Sequence, residues 1–173
     1  KQVIPNPAKY CGPYHPLQNT DIEANQQLAP HKRSHDTIAM VVIDTKGHIA
    51  SGTTTNGAFG KIPGRVGDAP IAGAGSYADS QVGGCGCTGD GDVMMRFLPS
   101  FYAVELMRSG LSPKAASEKA IRRIIRQYPS FTGAIVCANM KGEHGAAAYN
   151  WVFKYSVRSP LHPTTQIISI QPL

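Results

Sequence analysis

Between residues 38 and 55 apolar and polar positions fall into two short runs that face each other across a turn. Met40 to Ile43 is apolar and mostly β-branched, Asp44-Thr45-Lys46-Gly47 carries turn chemistry, and His48 to Thr55 returns, which predicts a β-hairpin. Further on the period becomes helical. Met94, Phe97, Leu98, Phe101, Val104, Leu106 and Met107 share one helical face, with Asp90 or Asp92 as cap and Gly110 as stop. Pro99 lies inside that run and is expected to kink or break it. A second helix should start at Ser112-Pro113, bury Ala116, Ala120, Ile121, Ile124 and Ile125, and end at Pro129. Apolar runs at 132–138, 145–151, 152–157 and 166–170 then read as strands, with Met140-Lys141-Gly142 as a turn. Short connections imply antiparallel pairing, with both helices on one face of the sheet. Nothing left in the sequence covers the other face, so a partner layer is expected to be missing.

Two stretches carry no period. Residues 1–36 hold prolines at 5, 7, 13, 16 and 30 and read as an extended arm with a mobile tail. Residues 56–92 are glycine-rich and too long for an ordinary connection, and such loops tend to be functional.

Composition narrows the class. With 173 residues, 42% hydrophobic and 16% charged, the chain has the makings of one folded domain. No apolar run approaches the roughly 18 residues of a membrane helix, so no membrane partner is expected. The net charge of +6 has a local source in Lys119, Arg122, Arg123 and Arg126, a stripe that reads as a solvated helix face. No aromatic platform or recognition-helix motif accompanies it, so nucleic acid is not expected as a partner. Cys11, Cys85, Cys87 and Cys137 match no zinc or redox spacing, which leaves buried thiols or one bridge and no metal.

Candidate chemistry concentrates around the hairpin and the glycine-rich stretch. In GRVGD, Arg65 and Asp68 lie three apart between glycines. A guanidinium grips a carboxylate and a carboxylate suits an ammonium, so the pair reads either as a clamp for an amino-acid head group or as a loop ion pair. In TGDGD, residues 88–92, backbone N–H groups and the Thr88 hydroxyl are candidate oxyanion donors. The hairpin should bring Thr53 to Thr55 near Thr37, where a hydroxyl can support a nucleophile. Asp36-Thr37 alone reads either as the lead-in to a strand or as a cleavage site that frees a threonine amine to serve its own hydroxyl as base.

Together these elements resemble the aspartylglucosaminidase (glycosylasparaginase) family of N-terminal nucleophile (Ntn) hydrolases. The resemblance runs from NPAKYCGPYHP through HDTIAMVVID, GHIASGTTTNG, GRVGDAPIAGAGSYAD and TGDGDVMMRFLPS to FTGAIVCANMKGEHGAA. It implies an α/β (α+β) fold, a four-layer αββα sandwich of which this chain supplies roughly one half. Residues 1–36 would be the C-terminal end of an α chain and residues 37–173 the catalytic β chain, parted by self-cleavage at Asp36–Thr37. Thr37 would be the nucleophile and its α-amine the base, with Thr55 as the supporting hydroxyl. Arg65 and Asp68 would hold the substrate's α-carboxylate and α-ammonium. Thr88 and Gly89 would form the oxyanion hole, and Gly91 belongs to the same binding loop. The activity implied is hydrolysis of the N-acetylglucosamine–asparagine amide of free glycosylated asparagine, without cofactor, in a dimer of αβ pairs that is lysosomal or secreted. The alternatives are a β-aspartyl peptidase or asparaginase on the same scaffold, or a truncated inactive copy. The chain departs from the family pattern at three places. Ala39 stands where glycine is usual, Cys85-Gly86-Cys87 replaces a commonly alanine-rich stretch, and Ser117 replaces the cysteine that partners Cys137 in vertebrate members.

Overall fold

The computed structural model describes residues 37–58, 61 and 64–173. The arm expected over residues 1–36, with Cys11 and Asp36, lies outside the described residues. Strand β1 (Ile38–Ile43) pairs antiparallel with β2 (Ile49–Thr54), in a register that sets Ile38 against Thr54 and Ile43 against Ile49. Asp44 closes the turn, its Oδ1 accepting from the backbone N–H groups of Lys46 and His48 at 2.8 Å each. This is the hairpin expected from the apolar pattern.

A four-stranded antiparallel sheet follows, in the order β3 (Ser76–Asp79), β4 (Gly83–Gly89), β5 (Gly133–Asn139), β6 (His144–Tyr149). Two of these strands lie inside the stretch that reads as one long loop. Glycines hide them, because a strand that shows no side chains shows no period-two pattern, and glycine is depleted in ordinary strands. Packing supplies the reason for them. A Cβ on Gly84 would stand 3.1 Å from Val41 and 3.3 Å from Ile49, so the hairpin lies on a face of β4 that its neighbours need bare.

The helices cover the opposite face. The single expected helix is two, α1 (Gly91–Met94) and α2 (Pro99–Arg108), followed by α3 (Pro113–Ile125). Leu98 adopts a left-handed φ of 49° between α1 and α2, and Pro99 opens α2, where its missing N–H costs no hydrogen bond. Asp90 holds the cap position of α1 without a side-chain cap hydrogen bond, whereas Ser112 caps α3 by accepting from the Ala115 N–H at 3.3 Å. Met94, Val104, Ile121, Ile124, Phe131 and Ile135 fill the core between helices and sheet. Burial of each such side chain contributes about 1.5–3 kcal/mol. β4, β5 and β6 are buried along most of their length, as strands covered on both faces must be.

The hairpin is the third layer, and its outer face is apolar: Ile38, Met40 and Val42 are 66%, 64% and 46% exposed. The last two strands, β7 (Phe153–Ser159) and β8 (His162–Ile170), form a separate antiparallel pair. The described residues thus form an α+β fold of antiparallel sheets with three helices.

One bridge exists among the described cysteines. Cys85 and Cys137 stand opposite each other on β4 and β5 and are disulfide-bonded, while Cys87 is a buried free thiol whose Sγ lies 3.1 Å from Ser100 Oγ. Burial pushes the Cys87 thiol well up, so it stays protonated and unreactive. Cys137 therefore has a partner on the neighbouring strand, and Ser117 donates instead to the Pro113 carbonyl at 2.7 Å. The bridge joins positions 52 apart, a loop whose closure contributes about 4 kcal/mol at most. Reduction, or Cys137→Ser, is expected to lower Tm by about 5–15 °C. A thermal melt unchanged by reductant would mean that the two sulfurs are not joined in solution.

Candidate active site

The site lies where the hairpin ends, the loop after β2 and the β4–α1 junction meet. Thr37 immediately precedes β1 and Thr55 immediately follows β2, so the antiparallel register carries the two across from each other. Thr37 Oγ1 donates to Thr55 Oγ1 at 3.0 Å, and the Gly57 N–H donates to the same Thr55 oxygen at 2.8 Å. Of the three threonines at 53–55, it is Thr55 that meets Thr37. Thr53 turns instead to the next loop and donates to the Ala69 carbonyl at 2.9 Å, tying β2 to the segment that holds Asp68.

Asp68 is almost fully buried, at 4% exposed. Its backbone carbonyl accepts from the N–H groups of Ile71 and Gly75 at 3.0 Å each, which folds residues 68–75 into a compact turn. Gly75 in turn accepts the Cys87 N–H at 2.8 Å, so the turn is fastened to the middle of β4. The backbone that carries the Asp68 side chain is thereby fixed beside β4.

Arg65 is gripped by its Nε, which donates to Asp92 Oδ1 at 2.8 Å. That contact leaves the two terminal nitrogens to point elsewhere, and three glycines surround them. A Cβ on Gly67 would lie 2.9 Å from Nη1, one on Gly57 3.2 Å from Nη1, and one on Gly91 3.2 Å from Nη2. The same Cβ on Gly91 would lie 2.8 Å from Asp68 Oδ1. A guanidinium and a buried carboxylate therefore converge over Gly91, at the start of α1. Asp92 escapes a reading by pattern. It reads as a helix cap, yet it holds an arginine 27 positions away, a contact that local spacing does not announce.

One cleft joins these groups. Its walls are Thr37, Thr55 and Gly57 from the hairpin, Arg65, Gly67 and Asp68 from the loop, and Gly89 and Gly91 from the β4–α1 junction. Thr88 is half-buried and is not part of the lining. Gly89 takes a φ of 136°, and a Cβ there would strike Gly133 Cα at 2.4 Å, so only glycine lets β4 turn into α1 beside β5. Among the described residues no group of histidine, cysteine and carboxylate side chains is arranged to hold a metal ion.

The arrangement offers a hydroxyl with a hydroxyl partner, one cation and one buried carboxylate around a small cleft. Gly91→Ala is expected to press on both charged groups, raising KM by about tenfold or more while leaving Tm within a few degrees. Steady-state kinetics and a thermal melt would read both, and an unchanged KM would mean that the substrate does not sit between Arg65 and Asp68.

Comparison with known proteins gives the same direction. Residues 11–157 match the family model described as asparaginase, and the chain belongs to this asparaginase family. It is 48% identical to the probable isoaspartyl peptidase/L-asparaginase 3 of Arabidopsis thaliana, over 99% of this chain and 51% of that protein. It is 50% identical to the N(4)-(beta-N-acetylglucosaminyl)-L-asparaginase of Mus musculus and 51% identical to that of Rattus norvegicus, each over 94% of this chain and 48% of the relative. The chain spans about half the length of these curated relatives.

Proposed function

We propose that the whole protein is a threonine-nucleophile amidohydrolase that cleaves the N-acetylglucosamine–asparagine amide bond of free glycosylated asparagine, after cutting itself between Asp36 and Thr37. The observation that carries this reading is the convergence of the Thr37–Thr55 hydroxyl pair, Arg65 and Asp68 on one cleft. Arg65 takes the α-carboxylate of the substrate with its two terminal nitrogens, and Asp68 takes the α-ammonium. The side-chain amide then extends toward Thr37. The Thr37 oxygen attacks the amide carbon while its proton passes to the Thr37 α-amine. Thr55 turns its hydroxyl onto the Thr37 oxygen as charge develops there. Gly89, which lines the cleft, stabilises the carbonyl oxygen as it becomes an oxyanion in the tetrahedral intermediate, and Thr88, just behind the lining, joins it once substrate is bound. Collapse breaks the C–N bond, and the amine returns its proton to the leaving glycosylamine. Water, deprotonated by the same amine, hydrolyses the aspartyl ester and frees aspartate.

The same reading accounts for the layers. The exposed row of Ile38, Met40 and Val42 suits a second sheet and helix layer supplied by the rest of an α chain, completing a four-layer αββα sandwich. A dimer of such αβ pairs, in a lysosomal or secreted setting, is the assembly proposed.

A second reading, a β-aspartyl peptidase, is favoured by the name of the Arabidopsis relative, which matches nearly the whole chain. Both activities need the same head-group clamp, and they part only in what lies beyond the amide. A competition assay with the full-length protein separates them. Free glycosylasparagine is expected to be cleaved faster than a β-aspartyl dipeptide, and capping its amino and carboxyl groups should cut kcat/KM by about a hundredfold. A preference for the dipeptide supports the second reading, and undiminished cleavage of the capped compound contradicts the clamp.

A further inference from the structure

We propose that Gly86 is a positioning residue for Thr37, acting through the methyl group of Ala39; this inference rests on the reading of Thr37 as the nucleophile. Thr37, Ala39 and Val41 point to one side of β1, toward the sheet, while Ile38, Met40 and Val42 point away. Below them runs β4, whose Gly84 and Gly86 present bare backbone to the hairpin. Gly86 stands two residues before Thr88, and Ala39 two residues after Thr37. The seam between them therefore sets the spacing of the hydroxyl and the β4–α1 junction.

The fit at this seam is specific. A Cβ on Gly86 would lie 2.7 Å from Ala39 Cβ, well inside contact distance, and its next neighbours, Ala39 Cα and C, would be 3.7 and 3.9 Å away. Among the described residues the Ala39 methyl is thus the only close obstacle. With that methyl gone, a methyl on Gly86 would meet ordinary van der Waals contacts. One methyl fits between the strands, and it can belong to either side but not to both. The β4 face cannot yield easily, because Cys85 is bonded to Cys137 on one side of Gly86 and the Cys87 N–H is bonded to Gly75 on the other. A second methyl must therefore lift β1, and Thr37 with it. Displacements of this size at a reacting atom cost about a hundredfold in rate.

The test is a swap in the full-length protein. Gly86→Ala is expected to lower kcat about 10–100-fold with KM within about twofold, since Arg65 and Asp68 are on other segments. Ala39→Gly alone should change kcat by less than about threefold, and Gly86→Ala/Ala39→Gly together should regain parental kcat within about threefold. A double variant as slow as Gly86→Ala, or a Gly86→Ala protein with parental kcat, overturns the proposal. Should Gly86→Ala alone fail to fold, the double variant decides, because the pairing requires it to fold and turn over normally. Thermal melts read the seam without any substrate: Gly86→Ala should lower Tm by about 5 °C and Ala39→Gly should restore it. A parent enzyme that cleaves no asparagine amide would sink the functional reading alone, and a Tm that the second change does not restore would sink the pairing.

Discussion

Thr37→Ala is expected to abolish both self-cleavage and amide hydrolysis, with kcat falling by about ten-thousandfold or more. The alanine keeps the backbone and the strand but removes the oxygen that both reactions need. Folding should be almost untouched, because Thr37 is half-buried just before β1 and its hydroxyl donates to the exposed Thr55. Thr37→Ser retains the hydroxyl and loses only a methyl, so it should keep some of each reaction. The pair of variants separates chemistry from packing. An alanine variant that still hydrolysed glycosylasparagine would require a nucleophile elsewhere.

Arg65→Ala should divide the two reactions. Self-cleavage acts on the chain's own peptide bond and needs no head-group clamp, so it should proceed. Hydrolysis should lose about a hundredfold or more in kcat/KM, since the variant leaves the substrate carboxylate unpaired and Asp68 without the cation that faces it over Gly91. Asp92→Asn should fall between parent and Arg65→Ala. It keeps an acceptor for Nε at the same position while removing the charge that steadies the guanidinium. SDS gels for cleavage and kinetics on free glycosylasparagine would read these effects. Loss of cleavage in Arg65→Ala would show that the arginine holds the precursor fold rather than the substrate.

The hairpin was legible because Met40 to Ile43 is an apolar, mostly β-branched run and Asp44-Thr45-Lys46-Gly47 marks the reversal. The run reads as a buried strand, yet Ile38, Met40 and Val42 are exposed, since burial alternates along β1 while the residue type does not. The α3 helix was legible for a similar reason, with Ser112 and Pro113 marking its start. β3 and β4 were not, because the information lies in a different part of the chain. Gly84 and Gly86 are bare on account of Val41, Ile49 and Ala39, and no local window contains both sides of that contact. The same holds for the cysteine bridge, which depends on the register of β4 against β5. In the site, the spacing of GRVGD leaves a head-group clamp and a loop ion pair both open, and only the resemblance chooses between them. The grip of Asp92 on Arg65 and the ring of Gly57, Gly67 and Gly91 around it arise only when three segments meet.

The proposed mechanism requires Thr37 as the first residue of a mature chain, and N-terminal sequencing of the active full-length protein tests this most directly. Cleavage at Asp36–Thr37 predicts a β chain that begins Thr37-Ile38-Ala39-Met40. Active protein in which that sequence is absent, with the chain uncut or cut at another bond, would contradict it.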